Sequence, residues 1–206
     1  MIENAHRLQI KLLAQDGLSL DVESLIPIFH DWIKHHRLNE LLIDVTTYAH
    51  VPQGPGVGII GHESDYFFDE ADGHPGLLYT HKRHGNTASD ANSNVGTDLI
   101  VSGFRRALFA ASLLEQESAP AGKLRFRTDE LLFRAADRLV APSNDESFAA
   151  ARRDLQPACD RIFGPGAYEL QFVSSPRQVL TVRIRSSQSH PLSVLLERAE
   201  GAPAAV

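Results

Sequence analysis

The chain has 206 residues, of which 43% are hydrophobic and 22% charged, and its formal net charge is −6 at pH 7. This length suits a single compact domain over residues 1–206, and the composition is that of an ordinary soluble globular protein. Because domains that bind nucleic acids usually carry a basic face, the acidic balance argues against general nucleic-acid binding. No run approaches the roughly 18 to 20 apolar residues of a membrane span, so we expect no membrane insertion.

The compartment is indicated by the cysteine count and by the first residues of the chain. The single cysteine, Cys159, excludes an intrachain disulfide and fits a reducing environment. Residues 1–7 lack the basic stretch and following apolar stretch of a secretory signal. We therefore expect a cytoplasmic protein. Cys159 lies on the apolar stripe of a predicted helix, which indicates a buried thiol rather than a reactive one.

The first half of the chain alternates between strand and helix patterns. Residues 7–13 alternate polar and apolar and predict a strand, and a helix follows with Phe29 and Trp32 on its apolar stripe. Pro27 is tolerated in a first helical turn, which favours Ser24 over Asp21 as the N-cap. Strands are predicted around 41–50 and 57–66, then a hairpin over 66–79. Residues 82–96 are polar and predict a mobile connection.

The second half opens with the clearest helix, over residues 97–117, where apolar residues recur at helical spacing. Thr128-Asp129 could turn a hairpin or cap a helix, and we favour the hairpin. A capping box at 143–146 opens a helix that Gly164-Pro165-Gly166 ends. Residues 168–173 and 179–185 predict a last hairpin, residues 192–198 a further turn of helix, and residues 199–206 a flexible tail.

These elements predict an α+β fold with a mostly antiparallel sheet and three main helices on one face. Up to about residue 125 their order is that of a ferredoxin-like split β-α-β unit. A two-part organisation, with residues 1–127 and 128–198 as separate units, is the alternative to one domain.

Residues with chemically useful side chains are concentrated between positions 44 and 81. On the strand at 41–50 a period of two places Asp44, Tyr48 and His50 on one polar face. The opposite face is predicted to be core and carries Leu41, Ile43, Val45, Thr47 and Ala49. The polar face can equally be a surface that meets water, as antiparallel sheets allow.

The next strand contains glycines and then Gly61-His62-Glu63, where glycine suggests the close approach of another backbone or of a ligand. His50 and His62 flank a tight connection, so we expect their side chains to be near neighbours. With Asp44 or Glu63 they could hold a divalent metal ion such as Zn, Fe or Mn. The chain has no HExxH or CxxC motif, and ten histidines can produce such a grouping by chance.

Anion binding is the second kind of chemistry that this segment offers. The Gly54-Pro55-Gly56 turn could present backbone N–H groups to an anion, and Gly61 clears space nearby. His81, Lys82 and Arg83 form a basic run beside it. Tight turns and solvated surface charge are the structural alternatives for these two features.

Two functions therefore remain open. One is a soluble binding or assembly module, which could form a homo-oligomer and bind an anionic small molecule. The other is a hydrolase or lyase that depends on a metal or on a His/carboxylate pair. In that enzyme His50 and His62 would be ligands or bases, Asp44 or Glu63 the orienting carboxylate, and Tyr48 or Tyr66 a proton donor.

Overall fold

The computed structural model describes residues 7–16, 20–51, 54–82, 95–117 and 124–201. In this part of the chain eight strands and four α-helices are present, together with short 3-10 helices at Val22–Leu25 and Ala71–Gly73. The strands are β1 Arg7–Ala14, β2 Leu42–Thr47, β3 Val57–Gly61, β4 Ser64–Asp69, β5 Gly76–Lys82, β6 Phe126–Ala135, β7 Tyr168–Phe172 and β8 Leu180–Ser186. The helices are α1 Ile26–Lys34, α2 Val95–Gln116, α3 Asp145–Phe163 and α4 Leu192–Glu200.

All eight strands form one sheet in the order β2-β3-β4-β5-β1-β6-β8-β7. Every neighbouring pair is antiparallel, and the first strand of the chain lies in the middle, between β5 and β6. On the sheet α1 packs over β2 and β3, α2 over β1 and β5, and α3 over β7 and β8, while α4 packs against α2 and α3. The alternation of strand side chains therefore gives the sheet two faces of different character.

One face carries the helices and the hydrophobic core. Phe29, Trp32, Phe104 and Leu155 are fully buried there, and for Phe29 and Trp32 this confirms the predicted apolar stripe of the helix. Strand residues such as Ile10 belong to the same cluster. Burial of each large side chain stabilises the fold by about 1.5–3 kcal/mol.

The opposite face, which we call the open face, carries the alternate residues of the strands. Lys11, Phe67 and Leu132 lie on it, and none of them belongs to the core cluster under the helices. They are nevertheless buried. The open face is therefore partly apolar and holds charged groups away from water.

The α+β class and the antiparallel sheet are confirmed, whereas the described part of the chain has four helices rather than three. The ferredoxin-like order is not confirmed, because four consecutive strands, β2 to β5, follow α1 where that unit has two. The alternative boundary between residues 127 and 128 falls inside β6, and β6 pairs with β1.

Several local expectations need correction. Asp21, not Ser24, caps the first helical segment, since its carboxylate accepts from Glu23 N. Thr128-Asp129 does not form a turn, because β6 continues through both residues. The first residues assigned to the tail, 199–200, end α4, and residues 202–206 lie outside the described part, as do residues 83–94 of the expected mobile connection.

No helix among the described residues combines the length and the hydrophobicity that a membrane crossing requires.

Candidate functional site

The two histidines expected to be neighbours, His50 and His62, lie at opposite ends of β3. His62 follows the last residue of β3, and its backbone N–H donates to Leu41 O at 2.8 Å. His50 lies in the connection before β3 begins. The five residues of β3 rise by about 3.3 Å each, so the strand itself extends for roughly 16 Å, and the two histidines lie beyond its opposite ends. The expected approach of the two imidazoles is therefore not found, because a whole strand intervenes.

The faces of β2 also differ from the predicted alternation. The register with β3 shifts between Leu42 and Asp44, which is the signature of a bulge. Leu42 is consequently buried with the core, whereas Leu41 and Ile43, which we expected in the core, are 64% and 57% exposed. The extra residue of a bulge moves the side chains on one side of the bulge to the opposite faces of the sheet. A prediction from a strict period of two does not include this shift.

Asp44 and Tyr48 remain on the polar side of this strand, and neither forms a hydrogen bond, ion pair or ring contact with a histidine among the described residues. The Asp44 carboxylate accepts the backbone N–H of the next residue at 2.8 Å. The Tyr48 ring is 42% exposed and lies 6.4 Å from the ring of Phe67 on the open face. Within the described ranges, no group of three or more His, Cys, Asp or Glu side chains is placed to hold a metal ion. The metal hypothesis for His50, His62 and Asp44 therefore has no support from the geometry.

The glycines of the candidate segment are explained by close packing of the protein on itself. Gly56 has a φ of 67°, and a Cβ there would lie 2.1 Å from Phe68 O. At Gly61 a Cβ would lie 2.5 Å from Ser64 O and 3.0 Å from the Glu40 carboxylate. Gly54 belongs to the same turn, where its N–H donates to Val51 O. A tight turn and a narrow hairpin therefore account for these residues.

Two residues of the basic run, His81 and Lys82, belong to the described part of the chain. His81 and Lys82 are half-buried at the end of β5, and Arg83 lies outside the described residues. The ammonium of Lys82 donates to Gly61 O and to the Asp65 carboxylate, both at 2.6 Å. Lys82 therefore links β5 to the β3–β4 hairpin through these two hydrogen bonds.

Glu63 belongs to a polar network that sequence analysis did not find. The Arg106 guanidinium on α2 lies 2.6 Å from Glu63, 3.3 Å from Glu40 and 3.2 Å from the Ser64 hydroxyl. The Tyr66 hydroxyl donates to Glu40 at 2.5 Å, and Ser64 N donates to the other Glu40 oxygen at 2.9 Å. These contacts fix α2 and the α1–β2 connection to β4. Burial raises the pKa of Tyr66, and the neighbouring Glu40 carboxylate adds to the effect.

A second charged cluster lies on the open face, where β1 supports the β4–β5 turn. The Lys11 ammonium contacts the Asp69 carboxylate at 2.5 Å and Ala71 O at 3.3 Å. The other Asp69 oxygen accepts from Ala71 N at 3.2 Å. Burial lowers the pKa of Lys11, and the attraction of Asp69 opposes that effect. The pair therefore anchors the 3-10 turn that carries Asp72 and leads to His74.

Next to this turn the open face forms a cavity of about 320 Å³, which we call the arginine pocket. Its floor consists of Leu132 and Arg134 from β6 and Thr181 and Arg183 from β8. Two turns form its walls, with Asp72 and His74 on the β4–β5 side and Val173, Gln178 and Val179 on the β7–β8 side. Thr181 pairs with Arg134 in register, so Arg183, two residues further along β8, is the diagonal neighbour of Arg134. The two arginine side chains are therefore close enough to contact the same ligand.

Among the described residues, the two arginines in this pocket are only partly neutralised. Arg134 is 13% exposed and donates from Nη2 to Asp72 at 3.0 Å, while its buried Nε has no hydrogen-bond partner among the described residues. Arg183 Nε lies 3.1 Å from the Glu130 carboxylate, but its N–H is not aligned for a hydrogen bond. A guanidinium carries a fork of several N–H donors, so most of the donors on these two side chains remain available within the described structure.

Glu130 does not neutralise Arg183 alone, because three arginines share its carboxylate. Arg185 Nε donates to it at 3.1 Å, and Arg127 Nη2 lies 3.3 Å away. The side chain of Glu130 is 9% exposed, so water contributes little to the balance. The floor of the pocket therefore has an excess of positive charge.

The sequence contained a partial signal for this pocket. Thr181, Arg183 and Arg185 alternate with the core residues of β8, which marks a polar face. Their proximity to Arg134 follows only from the pairing of β6 with β8, which are distant along the chain. Comparison with known proteins adds no family assignment. No family model matches the chain, and no significant match is found among curated proteins.

Proposed function

We propose that this protein is a binding module for a small organic anion, whose carboxylate or phosphate group is held by Arg134 and Arg183 in the arginine pocket. The observation that carries the proposal is the presence of two incompletely paired guanidinium groups in one cavity. Arginine binds both kinds of anion through two parallel N–H···O contacts. Two guanidinium groups on neighbouring strands can therefore share one anionic group between them.

The surroundings of the two arginines support an organic ligand rather than a bare ion. Leu132, Val173 and Val179 provide apolar surface, while Gln178 and Thr181 offer polar groups that can orient the ligand. Small-molecule sites commonly combine apolar walls with a few convergent polar groups, in volumes of about 300–1,000 Å³. The cavity is at the lower end of that range, which favours a compact ligand with one apolar part.

The experiment is isothermal titration calorimetry with phenyl phosphate and benzoate as anionic probes and benzamide as the neutral counterpart. We expect saturable binding of an anionic probe and none of benzamide. Arg183→Gln should weaken binding by about tenfold or more, since a charge-assisted contact contributes roughly 1.5–3 kcal/mol.

Arg177→Gln is the matched control, because Arg177 is exposed on the β7–β8 turn but does not line the pocket. It removes the same charge from the same region and should leave the affinity unchanged. Equal weakening in both variants would mean that general electrostatic attraction, not the pocket, holds the probe. Tight binding of benzamide would show that the anionic group is not recognised.

A further inference from the structure

A second cavity lies on the helix-bearing side of the sheet, away from the arginine pocket. It has a volume of about 220 Å³ and lies between the α1–β2 connection, β4, α2 and the end of α4. Leu38 and Phe109 form apolar walls, and Leu38 is buried. The volume is below the range of about 300–1,000 Å³ that is usual for drug-sized ligands, so the ligand that fits is smaller.

The floor of this cavity is held in place by hydrogen bonds. Glu40 and Tyr66 line it, and the carboxylate of Glu40 is held by the Tyr66 hydroxyl, by Ser64 N and by Arg106. The side chain of Glu40 is only 2% exposed. Both oxygens of the Glu40 carboxylate already accept hydrogen bonds. A ligand would therefore contact this floor through its shape and would not find an unpaired negative charge there.

The rim carries two charges of opposite sign. Arg105 from α2 and Glu200 from α4 both line the cavity and are both exposed. Neither side chain makes a hydrogen bond or an ion pair with another residue in the described part of the chain. A guanidinium and a carboxylate, each without a partner among the described residues, thus border an apolar depression.

We infer that this cavity binds a zwitterion with an apolar side chain, the chemistry of a free α-amino acid. Its carboxylate would contact Arg105, its ammonium would contact Glu200, and its side chain would lie between Leu38 and Phe109. Both charged groups of such a ligand gain a partner of opposite sign. Among the described residues, the charges that line the cavity (Glu40, Glu200, Arg105 and Arg106) sum to zero. A ligand with a single charge would leave one rim residue without a partner.

The test compares L-leucine with leucine methyl ester, which lacks the carboxylate, and with N-acetyl-leucine, which lacks the ammonium. Titration calorimetry on the full chain should give saturable binding of leucine and affinities lower by about tenfold or more for each derivative. Absence of leucine binding overturns the inference. A derivative that binds as tightly as leucine also overturns it, because one of the two charges is then not recognised.

Two variants with matched controls locate the site. Arg105→Gln should weaken leucine binding about tenfold or more, whereas Arg152→Gln, an exposed arginine on α3, should not. Glu200→Gln should have the same effect, and Glu197→Gln, exposed on the same helix α4, should have none. Unchanged leucine affinity in both rim variants places the binding elsewhere and contradicts the inference.

The two cavities can be tested separately. Arg183→Gln should leave leucine binding as in the wild type, and Arg105→Gln should leave the binding of phenyl phosphate unchanged, since the pockets lie on opposite faces of the sheet. Loss of leucine binding in Arg183→Gln would assign the zwitterion to the arginine pocket and overturn the inference.

Discussion

Lys11 and Asp69 form an ion pair inside the protein, with 2.5 Å between Nζ and Oδ2 and side chains that are 0% and 3% exposed. A buried pair contributes little over two well-packed apolar residues, but loss of one partner leaves a charge without compensation. The pair also supports the β4–β5 turn that forms one wall of the arginine pocket. It therefore connects the stability of the fold with the geometry of the candidate site.

Asp69→Asn should reduce the free energy of unfolding at pH 7 by about 3–5 kcal/mol. The decrease in the free energy of unfolding caused by Asp69→Asn should be smaller at pH 9.5 than at pH 7. Burial already lowers the pKa of Lys11 below its ordinary value of 10.5, and without the Asp69 carboxylate that pKa falls further. The unfolded chain then binds the proton more strongly than the folded chain, so stability rises with pH in that window. Urea denaturation at the two pH values measures both effects.

The double variant Lys11→Met/Asp69→Leu is the control, and it should recover most of the lost stability because no charge remains at these two positions. If it is as unstable as Asp69→Asn, packing around the turn matters more than charge compensation.

Asp72 competes with a bound anion for Arg134, since their side chains are 3.0 Å apart. Asp72→Asn should therefore raise the affinity for phenyl phosphate, the opposite of the effect expected for Arg183→Gln. Asparagine tolerates the left-handed backbone at this position, where φ is 62°. Calorimetric titration measures the change, and a lower affinity in Asp72→Asn would show that the carboxylate positions Arg134 rather than competing for it.

Tyr79 should make the protein sensitive to alkali. Burial raises the pKa of its hydroxyl to about 12 from an ordinary value of 10.0. Between these values the unfolded chain loses the phenolic proton and the folded chain keeps it, so the free energy of unfolding falls as pH rises, by up to about 1.4 kcal/mol per pH unit. Tyr79→Phe should reduce the slope of stability against pH above 10, as measured by urea denaturation.

Part of that slope should persist in Tyr79→Phe, because burial also raises the pKa of Tyr66. Tyr48→Phe, at an exposed tyrosine, is the matched control for the removal of a phenolic hydroxyl. An identical slope in wild type and Tyr79→Phe would contradict the assignment.

Cys159 should react with thiol reagents only on unfolding. It is 0% exposed, and burial raises its pKa to about 12, so little thiolate is present at neutral pH. Labelling with a maleimide, followed by mass spectrometry with and without urea, gives the rates. Stoichiometric labelling of the folded protein within minutes would show that α3 opens readily.

The sequence predicted those features that depend on neighbouring residues. Alternation identified the β7–β8 hairpin, helical spacing identified α2, and the apolar stripe of α3 correctly placed Cys159 in the core. The bulge after Leu42 was not predictable, because it depends on pairing with β3 rather than on the pattern within β2.

The candidate site was less accessible to sequence analysis than the fold. Titratable residues near one another in sequence, such as His50 and His62, were separated by a strand. Conversely, Glu40 and Arg106 meet across 66 positions, and the arginines of the arginine pocket come from β6 and β8. Long-range strand pairing determines these encounters, and hydrophobic periodicity does not encode it.

The most direct test of the proposed function is to observe the arginine Nε–H groups by ¹H–¹⁵N NMR during titration with phenyl phosphate. The signals of Arg134 and Arg183, assigned by their loss in Arg134→Gln and Arg183→Gln, should shift together and saturate with one affinity, while that of Arg177 stays in place. If those two signals do not move while the probe binds, or if the shifts appear only at arginines outside the pocket, the proposed function is contradicted.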